Sequence, residues 1–216
     1  MPDPVPPQHR LYNEVAGKSV ERLAALSDGV FAFAMTLLVL DLRVPSSAGI
    51  GSEADLARML LGVAPHLIPY VMSFMILGVF WIGQQAQLNF LVRSNRDLTW
   101  MHLGILFIVT LLPFSTALLA EFLALRVALL VYWFNIGLYG FAAFFALRYA
   151  VRAGLVKPEV SREVVHAMYR RIVLAQALYA LGALLCVVNT TWSIAFIVLV
   201  QLNFVIAPRV RWLWEI

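Results

Sequence analysis

Long apolar runs, not strict alternation, dominate this chain. Six blocks, at about 19–41, 61–83, 99–120, 126–148, 169–188 and 190–207, are mainly hydrophobic and separated by short polar stretches. A helix needs roughly 20 mainly apolar residues to cross a bilayer, so the pattern predicts six spanning helices and an all-α membrane protein. The first block is the least hydrophobic, because it opens on Arg22-Leu-Ala-Ala-Leu-Ser-Asp-Gly29. The last two blocks meet at Asn189-Thr190, which predicts a tight hairpin. Residues 1–17 are polar and proline-rich and read as a disordered tail, leaving 18–216 as one six-helix domain. Between blocks one and two, Pro45 to Ser52 reads as a flexible loop, and Ser52-Glu-Ala-Asp55 as the cap of a short helix up to Gly62. The stretch from Arg152 to Arg170 reads as a turn at Gly154 to Pro158, followed by a charged helical lead-in to block five.

Composition agrees with this pattern. Hydrophobic residues make up 62% of the 216 positions and charged residues 13%, with a mean hydropathy of +0.84; a soluble domain carries about 25% charged residues. With the N-terminus inside, 13 of the 16 lysines and arginines fall on the cytoplasmic side, and Arg43, Arg58 and Arg126 on the other. That asymmetry predicts both termini in the cytoplasm. It also accounts for the basic pI without nucleic acid, the natural partners of such loops being anionic lipid head groups. Cys186 is the single cysteine and reads as a packing residue.

Nothing in the chain assembles an enzyme site. His9, His66, His102 and His166 lack metal-ligand spacing, no phosphate loop is present, and Ser27-Asp28 has no histidine nearby in sequence. Neither a cofactor nor a metal is expected. The informative residues lie in span one, where Phe33, Leu37 and Leu40 share a helical stripe with Thr36 on its shoulder. Two readings of the stripe stand at this level, a functional face or an ordinary lipid-facing or core face. Two readings also stand for Ser27 and Asp28: they cap the helix, or they bond to other helices together with Arg22. A second polar group, Trp81, Gln84, Gln85, Gln87 and Asn89 with Asp97, Trp100 and His102, lies at the same membrane level. It reads equally as a network serving span one or as an interfacial belt. Gly137, Gly140, Ala142 and Ala143 mark a close-packing face of span four.

The residues from Arg22 through Leu26-Ser-Asp-Gly29 to Asp41 resemble the Arg-x-x-x-Phe-Ser-Asp signature and first helix of the transmembrane protein 175 family, potassium channels of lysosomes and many prokaryotes. Phe80-Trp81, Asp97-Leu-Thr-Trp100 and Leu111-Leu-Pro-Phe-Ser-Thr-Ala-Leu-Leu119 are also similar to that family. The resemblance covers spans one to three; spans four to six match in hydropathy and length. It implies six-span subunits in the cell membrane of a prokaryote, assembled as a homotetramer with helix 1 lining a central pore. Phe33, Leu37 and Leu40 then form apolar constrictions with the Thr36 hydroxyl between them. Arg22, Ser27 and Asp28, with Trp81 and His102, form a structural polar network. Leu26 stands where the family has phenylalanine, Phe33 where isoleucine is usual, Gln84 where histidine is usual and His102 where asparagine is usual.

The function implied is a potassium-favouring cation channel whose partners are the bilayer, monovalent cations and further copies of itself. The alternative is a proton-coupled secondary transporter in which Asp28 titrates, with Asp41 as a second such group.

Overall fold

The computed structural model describes residues 19–42 and 51–206. The tail expected over 1–17, most of the loop expected over 45–52, and the charges at Arg10, Lys18, Arg43, Arg209 and Arg211 lie outside the described residues.

Helix α1, Val20–Leu37, ends in a tighter 3-10 turn, Leu38–Asp41. Its N-cap is Ser19, whose hydroxyl accepts from the Arg22 backbone N–H at 3.2 Å. Ser27 and Asp28 therefore sit two turns inside the helix, and the capping reading of this pair is corrected. Helix α2, Glu53–Asn89, begins at Ser52, whose hydroxyl accepts from the Asp55 N–H. The cap is where the sequence places it, but the helix does not stop at Gly62: it continues through Pro65 and Pro69 for 37 residues. Each proline removes one backbone donor. Breaking the helix within an apolar phase would orphan several more groups, so continuation is the cheaper outcome.

The third span is broken into α3, Arg96–Thr110, and α4, Leu112–Glu121. Pro113 is responsible, because its ring crowds the carbonyl of Val109 and it has no N–H to return to it. Helix α5, Arg126–Arg152, closes on Gly154, the one described residue with φ in the left-handed region (64°). That geometry lets the Leu155 N–H reach back to the Ala150 carbonyl at 3.0 Å, a C-terminal cap that favours glycine. The chain then docks on the end of α2 through Val92 N–H to Leu155 O and Lys157 N–H to Phe90 O. Helix α6, Arg162–Leu184, is capped by Ser161 and ends in the 3-10 turn Leu185–Val187. Helix α7, Thr190–Ile206, starts after Asn189, whose side-chain oxygen accepts from the Thr191 and Trp192 N–H groups. The expected hairpin between the last two helices is thus present.

Among the described residues, five segments are long and apolar enough to cross a membrane: Val20–Leu40, Glu53–Asn89, Arg96–Glu121, Arg126–Arg152 and Arg162–Val187. Helix α7 has 17 residues, about 26 Å at 1.5 Å per residue, at the lower limit for a span. The described residues are almost entirely helical, and the chain is an all-α, multi-pass membrane protein.

Helix α5 packs against α3, α4 and α6, while α2 packs against α1, α4 and α7. Their shared core includes Phe31, Leu38, Ile76, Leu98, Ile105, Leu129, Tyr132, Ile136 and Ile197. Phe80 of α2 stacks on Tyr139 of α5 with ring centroids 3.6 Å apart, and the Tyr139 hydroxyl donates to the Phe80 carbonyl. Of the small residues in span four, Gly140 lies against the Gln176 side chain, whereas Gly137 has open space beside it. A further close approach marked by a glycine is Gly182 of α6 against Ile197 and Phe196 of α7.

Candidate functional site

Helix α1 divides cleanly into two faces. Leu23, Ser27, Phe31, Ala34 and Leu38 follow helical spacing and are buried against α2, α3 and α4. On the other side, Phe33 is 64% exposed, Leu40 70% and Leu26 47%, with Thr36 exposed and Leu37 half-buried. The Thr36 hydroxyl donates to the Phe33 carbonyl at 2.8 Å, which leaves its lone pairs facing outward. Phe33 and Leu40 are thus not part of the core of this chain. Ala25, Gly29 and Ala32 share the exposed face.

The buried face is held by polar bonds. Ser27 is fully buried; its Oγ donates to the Leu23 carbonyl at 2.9 Å and accepts from Gln84 Nε2 at 3.0 Å. Asp28 Oδ1 accepts from Trp81 Nε1 at 2.8 Å and from Gln85 Nε2. Trp81, Gln84 and Gln85 stand at i, i+3 and i+4, so one face of α2 supplies all three donors. The result is a clasp between α1 and α2 that fixes the rotation of α1 and hence the direction of its exposed stripe. Gln84 and Gln85 carry this clasp, yet sequence reading alone placed them only in a general polar group. Their signal was the i, i+3, i+4 spacing from Trp81.

Two expected members of the network stand apart from it. Arg22 is exposed, and among the described residues its guanidinium meets no acceptor. His102 is buried on α3, with Nδ1 bonded to the Leu98 carbonyl at 2.9 Å and Nε2 without a partner. The rest of the polar group disperses. Asp97 accepts from the Tyr149 hydroxyl of α5 at 3.1 Å, Gln87 reaches the Ala143 carbonyl, and Trp100 is exposed. Part of the group therefore serves α1, and the rest does not.

A family model described as endosomal/lysosomal potassium channel TMEM175 matches residues 22–113, from the first turn of α1 into α4. A crystal structure of a lysosomal potassium-selective channel TMEM175 homologue from Chamaesiphon minutus superposes with a TM-score of 0.77 and 27% identity, covering 88% of this chain and 98% of that one. Over residues 22–113 the chain matches the TMEM175 family.

The structural likeness to this TMEM175 homologue extends past α4, so the fold is shared beyond the residues that the family model matches. A protein named potassium channel from Streptomyces collinus is 39% identical over 102 residues, 47% of this chain and 48% of the relative. The matched region thus spans about half of that relative's length. The human protein named endosomal/lysosomal proton channel TMEM175 is 24% identical over 209 residues, 94% of this chain and 40% of the human protein. TMEM175 proteins are described as ion channels, not as enzymes.

Proposed function

We propose that this chain is one subunit of a homotetrameric, potassium-favouring cation channel, with α1 of each subunit facing a central pore. The observation that carries the proposal is the two-faced α1: its inner face is clasped to α2, and its outer face exposes Phe33, Thr36, Leu40 and small residues. A helix that met only lipid would gain nothing from Ala25, Gly29, Ala32 and a threonine on that face, whereas helices brought together in lipid do. In the tetramer, Phe33, Leu37 and Leu40 form successive apolar rings. A dewetted ring blocks ions until it admits one with part of its hydration shell removed. Potassium sheds that shell at lower cost than sodium, so the rings favour it modestly without a cage of backbone carbonyls. Both termini lie in the cytoplasm of a cell whose plasma membrane holds the channel. No catalytic chemistry or resident cofactor enters this reading.

Names of the relatives divide between potassium and protons, which keeps a proton-carrying reading in view. In its transporter form, Asp28 would exchange partners in each cycle. Its two donors on α2 support an anchoring role instead. Flux into liposomes separates the readings. A channel gives fast, non-saturating potassium flux without a proton gradient, and a carrier gives slow, saturable flux that requires one.

A further inference from the structure

At the end of the bundle that gathers most of the positive charge, α5 and α6 leave a groove of about 450 Å³ between them. Phe144, Arg148, Val151 and Arg152 line it from α5, His166 and Tyr169 from α6. Phe144, Arg148 and Arg152 are spaced i, i+4 and i+8, so they form one row along α5. The Phe144 and Tyr169 rings meet with centroids 5.1 Å apart and make an aromatic floor beneath the two guanidinium groups. Both arginines line the same groove as Tyr169. Both are exposed, and among the described residues no carboxylate forms an ion pair with either. Glu159 and Glu163, the nearest acids in sequence, form none.

Two unpaired guanidinium groups over an apolar, aromatic floor, in the last turns of a spanning helix, match an amphiphile with an anionic head. Arginine binds phosphate oxygens through paired N–H donors. Basic pockets between spanning helices at the charged face of a membrane are where acidic head groups bind. A second copy of this chain is the poorer occupant, because the chain carries a net charge of +4 and this end gathers most of its cations. We propose that the groove between α5 and α6 binds the phosphate head group of an anionic membrane lipid, with Arg148 and Arg152 on the phosphate and the acyl chain against Phe144 and Val151. The site lies on α5 and α6, apart from the exposed face of α1, and does not depend on the ion conducted.

Lipid titration of the purified full-length protein, followed by native mass spectrometry, tests this. Phosphatidylglycerol and phosphatidylcholine serve as matched probes. The wild type binds phosphatidylglycerol roughly tenfold or more tightly than phosphatidylcholine. R148Q and R152Q each lose about fivefold in phosphatidylglycerol affinity, and the double variant about 30-fold, at about 1 kcal/mol per charge near an anionic head group. R93Q/R162Q removes two exposed charges elsewhere and keeps wild-type affinity. Equal phosphatidylglycerol binding by wild type and R148Q/R152Q overturns the proposal, as does an equal loss in R93Q/R162Q, which would mean diffuse attraction. Displacement of the lipid by millimolar inorganic phosphate would assign the groove to a free anion and overturn it as well.

Discussion

Phe33 is the residue on which the pore reading turns. It is the bulkiest group on the exposed face of α1 and stands one turn before Leu37. Phe33→Ala is expected to widen the first constriction, raising conductance severalfold and lowering the preference for potassium over sodium. Single-channel recording or liposome flux checks this. Ser27 makes the opposite kind of prediction, because it faces the core. Ser27→Ala removes the partner of Gln84 Nε2, and Gln84 Oε1 already lacks one among the described residues. An orphaned buried amide costs about 1–3 kcal/mol, so thermal unfolding in detergent is expected at a lower temperature. Asp28→Ala strips the acceptor from Trp81 and Gln85 and has the same sign. Asp28→Asn retains an acceptor oxygen and is expected to fall between wild type and Asp28→Ala. At this scale the sequence was half legible. The pairing of serine and aspartate in an apolar helix marked them as costly to bury. Which donors meet them depends on the rotation of α2, which no local pattern specifies. Arg22, marked by the same reasoning, faces outward because Ser19 begins the helix only one turn earlier.

Helices show where hydropathy informs and where it misleads. The apolar blocks located the spans closely, since each must satisfy its backbone internally. They missed the start of α2, because a capping serine followed by acids reads as a separate short helix. They missed the break at Leu111 too, although Pro113 was visible, since Pro65 and Pro69 lie in α2 without ending it. A proline's effect depends on the packing around it, which sequence does not display. Helix contacts marked by glycine show the same dependence. Gly182 faces Ile197, which is fully buried and stiff at its branched carbon. Gly182→Ala is therefore expected to force α6 from α7 and to destabilise the protein by about 1–3 kcal/mol. Gly140→Ala meets the flexible Gln176 side chain, which lines a cavity, and is expected to cost less than Gly182→Ala in the same thermal assay.

As a whole, the chain presents an exposed apolar stripe that only assembly or lipid can cover. The likeness of residues 22–113 to the TMEM175 family was anticipated from the Arg-x-x-x-Leu-Ser-Asp-Gly run, which is long and chemically unusual. The remaining spans carried too little polar information to identify, and only their three-dimensional arrangement aligns them with the solved homologue. The proposed four-fold assembly and potassium preference would be properties of several chains together, so no single stripe reveals them. The clasp links the scales: Trp81, Gln84 and Gln85 fix α1 against α2, and the stripe points away from the core as a consequence. Variants that break the clasp are expected to reduce tetramer yield on a sizing column together with flux. The decisive experiment is potassium against sodium flux through purified protein in liposomes, for the wild type and for Phe33→Ala, Leu37→Ala and Leu40→Ala. Fast flux that favours potassium, altered by substitutions along this stripe, is the expected result. Absence of flux, or potassium flux unchanged by all three substitutions, would mean that α1 does not line the pore.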